Sequence, residues 1–333
     1  MTTKCPILAI MGNLSVNTKL FQNQKTVLVG LSGGPDSVCL LHYLATHQNE
    51  LGITVIAAHL NHEWRSDAEY DVEFCKTLCA NLGVKLVVKK ASELDFTPKK
   101  DGSKESTGRQ LRRYFFKQLA TEYQATGIVL AHHQDDQIET FFIRLLRGSS
   151  ITGLGAMQAQ SGLYLRPLLT TSKETILDYL QKYTIPYLTD STNSSDAFLR
   201  NRIRNQLVPT LNYVDQRSAK TIINTINQLQ ETEQFLQKIT EQTFTTLFSN
   251  NKVDLVKLFK LDTFLQRRII TYWICNYAPE FTLTHKFVAE IIRFLQSNTG
   301  GTHKLGNWKL EKKQHKAEIK PIMQQAQILT DIL

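Results

Sequence analysis

At 333 residues with 42% apolar side chains the chain has material for two packed domains, and 21% charged residues without a low-complexity tract exclude a disordered protein. The net charge of +9 is concentrated late, since residues 251–333 hold 13 Lys/Arg against 7 Asp/Glu, a balance that suits a polyanionic partner without choosing one. No apolar run approaches a membrane span, and Met1 to Leu14 lacks an h-region and a cleavage site, so no membrane partner and a cytoplasmic location are expected.

The first half alternates β-rich runs with amphipathic stretches. Thr26 to Leu31 reads as a buried strand and Val38 to His47 as a helix. Ile53 to Ala58, Leu86 to Val88 and Gly127 to Ala131 are further strands. Asp67 to Leu82, Glu105 to Gln124 and Asp135 to Leu146 are helices, and Ser92 to Ser103 is a polar loop. Ser172 is placed to cap a helix running to Lys182. This pattern predicts an α/β fold with a doubly wound, mostly parallel, Rossmann-like sheet, its ligand crevice at the strand C-terminal ends. Beyond a polar break, apolar residues recur at helical spacing (Ile222, Ile226, Leu229, Leu236), predicting a smaller helical domain. The expected divisions are 1–24 as an extension, 25–188 as the α/β domain, 189–212 as a linker and 213–333 as the helical domain.

The sharpest motif is Ser32-Gly33-Gly34-Pro35-Asp36-Ser37, between a strand and a helix. Its glycines let backbone approach an anion, the helix start supplies free N–H groups, and Ser32 and Ser37 can add hydroxyl donors. The Lys of the Walker sequence is missing, so a kinase-type P-loop is not indicated. Asp36 reads either as a magnesium-linked carboxylate or as a helix-end carboxylate favoured by the dipole.

A second constellation, His132 to Thr140, carries Asp136 and Glu139 on one helical face. Two carboxylates suit a cationic substrate group, and one could take a proton from an amine. Stabilising the helix N-terminus is the plainer account of Asp135 and Asp136. No further ligand set supports a metal reading of His132-His133 with Asp135-Asp136. Arg109 and Arg113 share a helical face, either as a phosphate fork or as a solvated surface. Arg200, Arg202 and Arg204 read as a nucleic-acid groove or as a charged linker. Five cysteines (Cys5, Cys39, Cys75, Cys79, Cys275) form no CxxC, and Cys75 and Cys79 fit the buried face of a helix.

Ser-Gly-Gly-x-Asp-Ser resembles the signature of the PP-loop ATP-pyrophosphatases. The ordered set Ser32 to Ser37, Ala58 to His62, Glu105 to Arg109, Arg113-Tyr114, His132 to Thr140, Arg147-Gly148, Arg166 to Leu168 and Asp190 to Arg204 is similar to the pattern of the tRNA(Ile)-lysidine synthetase family, over about residues 25–210. The chain resembles the family's short form, without the extra C-terminal domain of longer members. Trp64 departs from it, standing where a Gly-Leu pair is usual, which bears on the local loop shape.

The resemblance implies ATP with Mg2+, an isoleucine tRNA with a CAU anticodon, L-lysine, and an adenylated wobble cytidine that lysine then attacks at carbon 2. It implies that Ser32, Gly33, Gly34, Pro35, Asp36 and Ser37 hold the pyrophosphate end of ATP, with Ala58 and His59 on the adenosine side. Asp36 would also meet the metal, and Asp136, Glu139 and His133 would hold lysine. Asp36, Asp136, Glu139 and Arg109 would be catalytic, and Arg113, Arg200, Arg202 and Arg204 would contact tRNA. A homodimer is compatible with the resemblance. Rival readings are a PP-loop tRNA thiolase, which needs reactive cysteines, an amidotransferase, which needs a glutaminase module, and a non-catalytic ATP- or RNA-binding protein.

Overall fold

The computed structural model describes residues 14–65, 67–99, 104–189, 198–249, 252–278 and 283–322. The chain forms two compact units, residues 1–230 and 231–333.

In the first unit β1 (Thr26–Gly30), α1 (Pro35–Leu51), β2 (Thr54–Asn61), α2 (Ala68–Asn81), β3 (Lys85–Lys90), α3 (Lys104–Glu122), β4 (Gly127–Val129) and α4 (Gln134–Leu146) follow in strict alternation. A short α5 (Ile151–Leu154), the hairpin strands β5 (Gln160–Ser161) and β6 (Tyr164–Leu165), and α6 (Lys173–Lys182) come next. The sheet order is β3-β2-β1-β4-β6-β5, parallel throughout except for the β5–β6 pair. The chain therefore winds outward through β2 and β3, then returns to place β4 on the other side of β1. That reversal makes the β1/β4 junction the topological switch point, where a doubly wound sheet opens its ligand crevice.

Strand alternation builds one core on each face. Val27, Val29, Val55, Ala57 and Val129 pack with Leu40, Leu41 and Leu44 of α1, Cys75 and Cys79 of α2 and Ile176 of α6. The intervening Leu28, Ile56, Ala58, Leu60 and Ile128 face α3 through Leu111, Phe115, Phe116 and Leu119. Burying such side chains contributes roughly 1.5–3 kcal/mol each, which holds the crevice edge rigid. The unit continues through α7 (Leu199–Arg202), a π-helical turn (Ile203–Leu207), α8 (Val208–Val214) and the first part of α9 (Ser218–Leu247). Ile223 and Ile226 of α9 bury against Ile138 and Ala156.

The second unit holds the expected helices, α10 (Leu255–Leu258), α11 (Thr263–Tyr277) and α12 (His285–Gln296). It also contains a five-stranded antiparallel sheet that the sequence does not announce. β7 (Phe248–Ser249), β8 (Lys252–Asp254), β9 (Gly301–Leu305), β10 (Trp308–Lys313) and β11 (Lys316–Pro321) run in the order β7-β8-β11-β10-β9. Its inner face offers Val253, Leu305, Leu310, Ala317 and Ile319 to Trp273, Ile269 and Ile291. Polar residues at inward positions, Lys312 two after Leu310 and His303 two before Leu305, dilute the period-two signal that reveals a strand. Among the described residues, no helix is long and apolar enough to cross a membrane.

Candidate active site at the switch point of the parallel sheet

The loop Ser32–Ser37 turns β1 into α1 at the crevice. Gly33 sits at φ +83°, and its carbonyl accepts the amide of Leu188 at 2.9 Å. Ser37 Oγ ties the loop together, accepting from Ser32 N at 3.1 Å and donating to Gly34 O at 3.0 Å. Pro35 opens the helix, where its missing N–H costs nothing. The first intrahelical bond runs from Val38 N to Gly34 O, so the amides ahead of it have no acceptor within the helix. A side chain at Gly34 would meet only Ser32 Oγ, at 3.5 Å, so the loop is open there.

Behind the loop, Leu31 N bonds Ala58 O at 2.9 Å and His59 Nδ1 donates to Leu31 O at 2.9 Å. Burial pushes the His59 pKa down, so a neutral imidazole pins the strand exit.

Across the switch point β4 delivers His132 and His133 to the start of α4. The His133 amide donates to Asp136 Oδ2 at 3.0 Å, fixing the first turn. The His133 ring is 4% exposed, with Nε2 3.6 Å from Asp36 and 3.5 Å from Asp136. Nδ1 lies 3.9 Å from Asp135, an electrostatic contact rather than a hydrogen bond. Burial opposes its charge, but Asp135, Asp136 and Asp36 outweigh that and raise its pKa. Burial likewise acts against the ionised Asp135 and Asp136, yet His133 draws both below the usual carboxylate range. For His132 burial dominates and pushes the pKa down to about 4, against the pull of Asp136 and with Arg166, Arg200 and Arg109 adding to the fall.

One turn along α4, Glu139 is 1% exposed. Arg204 Nε donates to Glu139 Oε1 at 2.6 Å, and Arg200 Nε stands 2.9 Å from Oε2, off-line for a hydrogen bond. Burial still dominates and raises the Glu139 pKa, with Arg204 opposing it. Arg200 also reaches Glu105 at 3.2 Å and Thr140 at 3.3 Å, and Glu105 takes Arg109 at 3.3 Å. Arg113 lies over the Tyr164 ring, 5.7 Å from its centroid, and Arg202 is exposed. Asp36, His133, Asp136, Glu139, Arg200, Arg204 and Arg109 thus form a connected set. Asp190 to Asp196 of the last motif lie outside the described residues.

The structure adds residues that the sequence does not single out. Lys173, the first residue of α6, places Nζ 2.5 Å from Asp36 Oδ1. Arg112 donates to His62 at 3.2 Å, and His62 stacks on Trp64 with centroids 4.4 Å apart. The Gly153–Met157 loop is a brace. Gln137 of α4 exchanges two hydrogen bonds with Met157, and Arg144 donates to Gly153 O and Ala156 O. His132 Nδ1, Arg166 Nε and the Tyr164 hydroxyl are buried without a hydrogen-bond partner among the described residues. Buried polar atoms of this kind are normally satisfied by ligand or water.

Residues 9–211 match the PP-loop domain family. The chain is 34% identical over 274 residues to tRNA(Ile)-lysidine synthase of Bacillus subtilis, covering 78% of this chain and 58% of that protein. It is 32% identical over 276 residues to the enzyme of that name from Francisella philomiragia, covering 82% and 67%. The chain therefore spans less than two thirds of the length of the Bacillus relative. Among solved structures, the U34-tRNA thiolase NcsA from Methanococcus maripaludis with its [4Fe-4S] cluster superposes with a TM-score of 0.55 at 17% identity, covering 64% of this chain and 74% of that one, a likeness of fold.

Proposed function

The chain belongs to the PP-loop family, a membership that implies ATP binding, and from that premise we propose that it ligates L-lysine to carbon 2 of the wobble cytidine of an isoleucine tRNA with a CAU anticodon, through an adenylated cytidine. The observation that carries this reading is the buried pair Asp136 and Glu139, one turn apart beside the Ser32–Ser37 loop. An acidic pair at that place suits an amine nucleophile and has no use in nucleotide binding alone. The curated relatives bear the matching name.

The residues present fit Mg–ATP. The open face at Gly34, the free amides of the α1 start and the Ser32 and Ser37 hydroxyls suit a pyrophosphate, and Asp36 is a hard oxygen donor 30% exposed at the same spot. When bound, Mg–ATP supplies the adenylyl group that activates the cytidine oxygen, with pyrophosphate as leaving group. Ala58 and His59 line the adenosine side by backbone contact. Asp136 orients the lysine ammonium. Glu139, whose pKa is raised while that of Asp136 is lowered, is the stronger base of the two and takes the proton that frees the amine to attack. AMP leaves as the carbon–nitrogen bond forms. Arg109, Arg113, Arg200, Arg202 and Arg204 provide cations for phosphate and for the tRNA backbone.

The described thiols of the first unit are all buried, which disfavours sulfur transfer by them. Burial pushes Cys39 and Cys75 up to about 12 and Cys79 to about 11, leaving no reactive thiolate among them.

The test is incorporation of radiolabelled lysine into unmodified isoleucine tRNA with Mg–ATP, followed by nucleoside analysis. Label in a modified wobble cytidine, abolished by Asp36→Ala and by Asp136→Ala, is expected. Pyrophosphate release with tRNA but no label would leave the loop chemistry standing and refute lysine as nucleophile.

A further inference from the structure

We propose that Lys173 is a substrate-binding residue that contacts the pyrophosphate group of ATP, supplying from α6 the cation that the Ser32–Ser37 loop lacks. The proposal rests on the function proposed above and identifies a further residue of that site.

A pyrophosphate leaving group develops several negative charges, and a positive side chain beside the amides of the loop stabilises it further. No residue from Ser32 to Ser37 is basic. The structure brings one in from 137 residues along the chain, as Lys173 Nζ lies 2.5 Å from Asp36 Oδ1. Its placement is braced. Ser172 Oγ accepts the Thr175 amide at 3.1 Å and so caps α6, Thr171 O accepts the Gln134 amide at 2.9 Å, and the Lys173 amide points at Asp135 Oδ1 at 3.4 Å. These contacts lock the start of α6 to the start of α4, while the lysine side chain locks it to the start of α1.

Three helix N-termini consequently meet at one place, from helices of 17, 13 and 10 residues. Each helix dipole places about half a positive charge at its start, although side chains already cap amides at the starts of α4 and α6. Asp36, Asp135 and Asp136 stand among them and offset much of that charge, so the Lys173 ammonium, reaching in from α6, is a cation that an incoming polyanion can meet. The Lys173–Asp36 pair is itself about one third exposed, and such pairs contribute little net stability. Lys173 can therefore exchange Asp36 for a phosphate oxygen at small cost, or bind both at once.

The alternative is that Lys173 only positions Asp36. Equilibrium dialysis of the full chain against labelled inorganic pyrophosphate, and separately against AMP, distinguishes the two. Wild type is expected to bind both. Lys173→Met is expected to lose roughly 10- to 100-fold in pyrophosphate affinity, the scale of one hydrogen bond to a charged group. It should keep AMP affinity, and Lys173→Arg should keep most of both. In magnesium-free buffer, adding Lys173→Met to Asp36→Asn should weaken pyrophosphate binding further, because the contact is direct. An unchanged pyrophosphate affinity in Lys173→Met overturns the proposal, as does an equal loss for AMP or no additional loss in the Asp36→Asn background. A wild-type chain that binds neither ligand overturns the functional reading along with it, whereas the other failures leave that reading intact.

Discussion

The Arg204 guanidinium spans the acidic pair, with Nε 2.6 Å from Glu139 Oε1 and Nη2 3.8 Å from Asp136 Oδ1. A cation of the chain thus stands where the proposed mechanism puts the cation of the substrate. Asp136 and Glu139 cannot hold Arg204 and a lysine ammonium in the same geometry, so the arginine must yield. A tRNA phosphate is a natural acceptor for it.

Arg204→Ala is therefore expected to tighten binding of free lysine in the absence of RNA, by roughly tenfold if one charged hydrogen bond is relieved. The same variant should lose tRNA-dependent turnover. Calorimetric titration with lysine reads the first effect and label incorporation the second. A lysine affinity that stays the same or falls without RNA would show that Arg204 and lysine do not compete.

The two adjacent histidines titrate in opposite senses. His133 is raised above its ordinary 6.5, so its contribution to stability is complete below pH 6.5 and is lost as pH rises through the higher folded value. His132 is lowered to about 4, so its contribution is complete above pH 6.5 and is lost as pH falls from there towards 4. His133→Gln is expected to flatten the alkaline limb of a melting-temperature profile, and His132→Gln the acid limb between pH 6.5 and 4. Profiles in which each substitution alters the other limb would refute both charge assignments.

Much of the first unit was legible in the sequence because its central strands β1, β2 and β4 are buried on both faces and its helices carry clear apolar stripes. Thr26 to Leu31 and Asp135 to Leu146 fall within a residue of the observed β1 and α4. The Ser32–Ser37 loop and the Asp136/Glu139 spacing were legible too, since each is local. What was not legible is what only the fold brings together. Nothing in the spacing ties Lys173 to Asp36 or Arg204 to Glu139, and Ser172-Lys173 reads only as a helix start. Arg112 lost its signal by standing beside Arg113, where one arginine looks like the other until the helix face is known. In the second unit, Lys312 and His303 stand at inward positions and obscured the alternation of the strands.

Within that second unit, Arg268 donates from Nη1 and Nη2 to the two carboxylate oxygens of Glu233 at 2.9 and 2.8 Å, and from Nε to Thr240 at 3.1 Å. Both charges are largely buried. Arg268→Met removes the bidentate partner of a largely buried carboxylate and should cost about 3–5 kcal/mol, whereas Arg268→Met with Glu233→Leu removes both charges and should cost less than either single change. Urea denaturation followed by the combined fluorescence of Trp64, Trp273 and Trp308 gives the comparison. Additive losses in the double variant would mean the pair is not coupled.

Gly33 and Gly34 should separate loop strain from ligand space. At Gly33, φ is +83° and an added Cβ would lie 2.8 Å from Leu188 Cδ1. Gly33→Ala is expected to cost about 1–2 kcal/mol from the left-handed backbone, with crowding in addition. Adding Leu188→Ala relieves the crowding but not the backbone, so only part of the loss should return. Gly34 caps α1 with extended backbone at φ −72° and meets nothing closer than Ser32 Oγ. Gly34→Ala should therefore melt close to wild type yet bind pyrophosphate poorly, because its methyl group fills the space a phosphate needs. Urea denaturation and pyrophosphate dialysis on the three variants read these effects apart. Wild-type pyrophosphate affinity in a stable Gly34→Ala would mean that the anion does not approach the loop across that face.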